Sequence, residues 1–126
     1  MPLTRIVCRE TLSEEAVAII SDTLHECLVR EFAVPLQDKF QIIERLPARQ
    51  RVYDRHYLSG GRSDDFVLVL ITAGKPRSTE QRRRFYRALS EGLSAKVGIS
   101  PEDVMVTIQL NQAEDWSFSR GEQFCP

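Results

Sequence analysis

The sequence holds few of the residues that staple, chelate or span. Three cysteines (Cys8, Cys27, Cys125) and two histidines (His25, His56) occur in 126 residues. The cysteines are odd in number and share no CxxC or metal-ligand spacing, so neither a disulfide framework nor a bound metal is expected. No apolar run exceeds Phe66 to Ala73, far short of the about 20 residues that a bilayer-crossing helix needs. Arg5, Arg9 and Glu10 interrupt the first ten residues, and no secretory leader is expected. Charge of one sign is missing too: 17 basic residues face 18 acidic ones, a net charge of -1. That balance gives no overall pull toward nucleic acid or an anionic membrane, and neither is expected as a partner. A reduced, cytoplasmic protein without a cofactor is the plain reading.

What is present is an ordinary globular composition, 42% apolar and 28% charged. The length suits a single domain over residues 1–126, large enough to bury a core without staples. Its charge is unevenly placed. From Arg45 to Arg87 there are 11 basic residues against four acids, Asp54, Asp64, Asp65 and Glu80. A basic middle suits an anionic ligand, an acidic surface on another subunit, or merely solvated faces.

Two helices are marked by their ends. Thr11-Leu12-Ser13-Glu14 reads as a capping box, followed by Val17, Ile20, Leu24, Cys27 and Leu28 at helical spacing. Asp22, His25 and Glu26 fall on the wet side, and Pro35 marks the stop. Ser78-Thr79-Glu80-Gln81 opens the second helix, with Phe85, Ala88, Leu89, Leu93 and Val97 as its buried stripe and Gly98 as its end. Residues 3–8, 39–46, 66–73 and 104–110 read as strands, the third unbroken enough to be covered on both faces. The order is βαββαβ, two tandem βαβ units of about 1–60 and 61–126. Val34 to Asp38 and Ile99 to Asp103 precede the last strand of each unit. An α/β (α+β) fold follows, a four-stranded sheet with two helices on one face. Its other face lacks cover within one chain, which predicts association of subunits.

Two segments carry possible chemistry. Pro2 follows the initiator, and a small second residue permits removal of Met1. That leaves a secondary amine, a base or nucleophile when neutral and an acid when protonated. Gly74-Lys75-Pro76-Arg77-Ser78 sets two cations around a rigid proline, between a strand end and a helix start, where a carboxylate would meet both charges. Each also has a purely structural reading: many chains begin Met-Pro, and basic loops precede many helices. Trp116 and Phe118 serve equally to pack a tail onto the sheet.

The ordered set is more specific than its parts. Pro2, Phe32 to Gln41, Lys75 to Gln81, Gly98 to Val104 and Asp115 to Gly121 occur in sequence. Together they resemble the tautomerase superfamily, and within it the malonate semialdehyde decarboxylase branch, from Pro2 to about Phe124. The resemblance implies a homotrimer of βαββαβ subunits acting on small oxo-acids with no cofactor. It implies Pro2 as the catalytic group, Asp38 as the catalytic aspartate, Lys75 and Arg77 as the cations that hold the substrate carboxylate, and Trp116 and Phe118 as the aromatic wall. The reaction implied is keto-enol tautomerisation, decarboxylation or both. One position departs from the branch: Lys75 stands where its Arg-Pro-Arg has the first arginine, and lysine lacks the planar two-pronged grip.

Two competing readings remain open on sequence. One is a trimeric member of the family without decarboxylase activity. The other is a ferredoxin-like module that binds a small ligand.

Overall fold

The computed structural model describes residues 2–126; Met1, whose removal the sequence reading expects, lies outside the described residues. Strand β1 (Pro2–Arg9) leads through helix α1 (Glu14–Phe32) to β2 (Phe40–Leu46). Strand β3 (Val67–Ala73), helix α2 (Thr79–Val97) and β4 (Val104–Leu110) repeat that order. The expected βαββαβ succession is therefore observed.

Both helices end as their residues dictate, with one correction at the start of α1. Its cap is Ser13, whose hydroxyl accepts from the Ala16 amide at 3.0 Å, rather than Thr11. The Thr11 hydroxyl instead accepts from the Arg9 guanidinium, and the Glu14 carboxylate pairs with Arg45 at 2.6 Å. At α2 the Ser78–Gln81 capping box is present in full, and Gly98 takes the left-handed conformation that closes the helix.

The sheet order is β2-β1-β3-β4. Strand β1 runs parallel to β2 from Leu3↔Phe40 to Arg9↔Leu46, and β3 runs parallel to β4 from Val67↔Val104 to Ala73↔Leu110. The units meet along β1 and β3, which are antiparallel from Pro2↔Ala73 to Val7↔Leu68. In a ferredoxin-like, split βαβ arrangement the two strands of one unit would not be neighbours. Here they are, so the ferredoxin-like alternative does not describe this sheet.

Both helices cover one face. Ile6, Cys8, Val69 and Ile71 from the central strands, Leu24 and Leu28 from α1 and Phe85, Leu89 and Leu93 from α2 form one buried cluster. Phe32 and Phe85 join the helices with ring centroids 4.8 Å apart. Truncating any one of the large residues in this cluster to alanine removes about 2–5 kcal/mol. The apolar run of β3 is buried on the helix side only, alternating with half-buried residues on the other. The sequence expects cover on both faces, but among the described residues neither helix lies over the second, and the tail reaches it only at its edge, where Phe118 meets Phe40. Leu3, Phe40, Ile42 and Met105 are all at least 40% exposed there, a patch that needs a partner.

The long connection between β2 and β3 consumes much of the basic middle. Buried Arg51 donates to the carbonyls of Phe66 and Asp64 at 3.0 and 3.1 Å. Arg62 donates to those of Asp54 and Tyr57, and Arg55 pairs with Asp64 at 2.7 Å. Arg55 holds the Asp64 carboxyl below its ordinary range, and the amides of His56 and Tyr57 do the same for Asp54. These arginines organise a loop rather than await a ligand.

Candidate active site

The antiparallel β1–β3 pairing gathers distant segments at one end of the sheet. Pro2 opens β1 beside Ala73, the last residue of β3. Leu3 lies beside Phe40, the first residue of β2. The turn bearing Asp38 and the loop bearing Lys75 and Arg77 thus flank the start of the central strand. The opposite end holds the pseudo-equivalent aspartate, Asp103, but it is closed. Asp103 is 1% exposed and accepts from both the amide and the hydroxyl of Ser63 at 2.6 Å. Only the first end contains the start of the sequence.

A cavity of about 650 Å³ lies at this end. Gln37, Asp38, Lys75, Arg77 and Gln81 supply its polar side chains, and Phe118 and Phe124 contribute aromatic wall. Of the residues singled out by sequence, Asp38, Lys75, Arg77 and Phe118 therefore come together. Pro2 is buried in the adjoining strand and is not part of the cavity wall. Trp116 backs Phe118, stacked on it with centroids 5.5 Å apart.

The two cations are held very differently. Lys75 is exposed. Arg77 is 8% exposed and donates from Nη1 to the Lys75 carbonyl at 2.7 Å and from Nη2 to the Phe32 carbonyl at 3.1 Å. Burial lowers the Arg77 pKa, yet a guanidinium starts so high that it remains charged. Two of its five N–H groups are committed to carbonyls, which fixes the orientation of the guanidinium plane.

Asp38 is placed by α1. The Asp38 amide donates to the Pro35 carbonyl at 3.0 Å, closing a turn. His25 Nε2 donates to the Leu36 carbonyl at 2.7 Å. Ser21 bonds Gln41 at 2.6 Å and Asp22 pairs with Lys39 at 3.2 Å. His25 corrects the sequence reading, which sets it on the wet side: it is 7% exposed because the following turn folds back over that flank of the helix. Periodicity within the helix carries no signal of a downstream segment covering it.

The tail supplies the wall by crossing from β4 to the far edge strand. Trp116 Nε1 donates to Asn111 at 2.6 Å, and Phe118 reaches Phe40 with centroids 6.0 Å apart. A turn with Arg120 and Gly121 at φ 60° and 69° brings the chain back, and the Phe124 amide bonds the Trp116 carbonyl at 2.8 Å. Phe124 thereby joins the wall at 5.4 Å from Phe118, a role the sequence reading missed.

A second hollow, of about 590 Å³, runs between the outer faces of α1 and α2. Most of its charges pair with one another, Lys96 with Glu26 at 2.9 Å and both Arg30 and Arg84 with Glu31 at 3.2 and 3.5 Å. Among the described residues, no group of three or more His, Cys, Asp or Glu is placed to hold a metal ion, and no helix is long and apolar enough to cross a membrane.

Comparison with known proteins bears on the family and the fold. Residues 38–119 match the family model described as tautomerase enzyme. The chain is 34% identical to the probable tautomerase YusQ of Bacillus subtilis (strain 168) over 121 residues, 96% of this chain and 95% of that protein. It superposes on a malonate semialdehyde decarboxylase with a TM-score of 0.89 and 32% identity, over 96% of this chain and 93% of the other. A fused 4-OT solved as a symmetric trimer shares the fold, with a TM-score of 0.79 at 19% identity over 96% and 94% of the two chains. The chain belongs to the tautomerase superfamily and, within it, to the branch similar to malonate semialdehyde decarboxylase.

Proposed function

We propose that this protein is an amino-terminal-proline enzyme that acts on small oxo-acids, by keto-enol tautomerisation, decarboxylation or both. The observation that carries the reading is the convergence of Asp38, Lys75 and Arg77 on one cavity beside the first residue of the central strand. The cations bind the substrate carboxylate, and the Phe118 side covers its carbon skeleton. With Met1 removed, the Pro2 nitrogen is the catalytic base or acid.

In tautomerisation, neutral Pro2 takes the enol proton and returns it to carbon, so the substrate is isomerised with no net loss. In decarboxylation, protonated Pro2 polarises the carbonyl oxygen while the carbon–carboxylate bond breaks. Carbon dioxide leaves, and the bonding electrons pass into an enol that is then protonated at carbon. Asp38 acts on the proton inventory of Pro2: a nearby carboxylate favours the protonated amine, whereas Lys75 and Arg77 favour the neutral one. Neither reaction draws on a cofactor in this scheme.

The uncovered sheet face supports a homotrimer, because Leu3, Phe40, Ile42 and Met105 otherwise stand in water. The deciding experiment assays an enolpyruvate and malonate semialdehyde side by side, with intact mass to establish the loss of Met1. Pro2→Ala is expected to abolish turnover and leave the oligomer intact; full activity in that variant, or a retained Met1 in active protein, overturns the proposal.

A further inference from the structure

Gln81 lines the same cavity and has its amide oriented by the helix it caps. Its backbone N–H donates to Ser78 Oγ at 3.0 Å, and its Oε1 accepts from the Ser78 amide at 2.9 Å. A backbone amide can only donate, so the side-chain oxygen must face it. The NH2 end is left as the polar group that Gln81 presents, and it has no protein acceptor among the described residues.

The capping role alone does not call for glutamine. Glutamate closes the same box and gains from the positive end of the helix. A glutamate at this position, however, would set a negative charge on a cavity wall shared with Lys75 and Arg77. Glutamine keeps the cap, avoids that charge and adds a directional N–H donor. Lys75, a point charge without a planar fork, leaves room for such a donor.

We infer that Gln81 is a specificity-determining residue that donates from Nε2 to the carboxylate held by Lys75 and Arg77. The inference rests on the reading of the cavity as a carboxylate site, and the test separates the two. Malonate is titrated calorimetrically into the full-length protein and into Gln81→Glu, Gln81→Met and Lys75→Ala, with thermal unfolding recorded for each. Gln81→Glu keeps the capping box, so its unfolding temperature is expected to stay near that of the wild type. A bond to a charged acceptor corresponds to about tenfold or more in affinity, and both Gln81 variants are expected to lose at least that much.

Loss in Gln81→Glu with wild-type affinity in Gln81→Met would mean charge repulsion alone and would overturn the inference. Unchanged affinity in both, with loss in Lys75→Ala, would also overturn it while leaving the carboxylate site standing. Absence of wild-type binding, or binding indifferent to Lys75→Ala, would overturn the underlying reading as well.

Discussion

Arg77 and Phe32 lock two segments of the fold together: the guanidinium donates to the Phe32 carbonyl at 3.1 Å and lies 5.1 Å from the centre of the Phe32 ring. The carbonyl belongs to the last residue of α1 and the arginine to the loop that precedes α2. One side chain thus caps the negative end of a helix and holds a cation at the cavity wall.

This double role predicts an asymmetry between the two cations. Arg77→Ala leaves the buried Phe32 carbonyl unpartnered and is expected to cost about 2–3 kcal/mol of stability. Exposed Lys75→Ala is expected to stay within about 0.5 kcal/mol of the wild type. Urea denaturation of both variants checks it, and equal small effects would show that the Phe32 contact contributes nothing.

Under the proposed reading, Lys75→Arg supplies a planar two-pronged grip where the chain has a point charge. Decarboxylation, which depends on the orientation of the carboxylate, is expected to rise about tenfold, corresponding to about 1.4 kcal/mol in the barrier. Tautomerisation is expected to change little. Parallel gains in kcat/KM for both reactions would reject orientation as the reason.

His25 is expected to be structural in the specific sense of fixing the turn that carries Asp38. His25→Leu removes the donor to the Leu36 carbonyl and should cost about 1–2 kcal/mol. Hydrogen exchange over residues 34–39 should accelerate, and His25→Gln, which keeps an N–H donor, should recover part of the protection. Identical exchange in all three proteins would exclude the positioning role.

Close helix packing gives a test of sign. A Cβ added at Gly92 would lie 2.8 Å from Thr23 Cγ2, a stiff β-branched side chain in the facing helix. Overpacking of about 1–3 kcal/mol outweighs the about 1 kcal/mol that alanine gains in a helix. Gly92→Ala should therefore destabilise, whereas Gly92→Ala with Thr23→Ser should equal or exceed the wild type in unfolding free energy. A stabilised single variant would refute the contact.

The thiols should separate by burial. Burial pushes Cys8 and Cys27 above the ordinary value of 9.0, whereas Cys125 is exposed. Near pH 8 Cys125 should react rapidly with a thiol reagent and the other two only on unfolding. For stability the raised values act in one direction. Below about pH 9 both states keep these protons; above it the unfolded chain releases them first, so stability falls as pH rises. An alkaline titration of the unfolding temperature tests this, and rising stability above pH 9 would contradict it.

Sequence alone determined much of this protein because much of it is local. The Ser78–Gln81 box, the Gly98 terminus, the stripe from Phe85 to Val97 and the four strands follow from spacings of a few residues, which fix backbone hydrogen bonds without reference to the rest of the chain. The ordered resemblance named the residues worth watching. Tertiary structure decided what no spacing expresses. The antiparallel register of β1 and β3 set Pro2 beside Ala73 and brought Asp38, Lys75 and Arg77 to one end of the sheet. The turn after α1 buried His25, and the tail carried Phe118 and Phe124 to the cavity. Such contacts join residues tens of positions apart, and the burial and hydrogen bonds that give each side chain its task exist only once those segments have met.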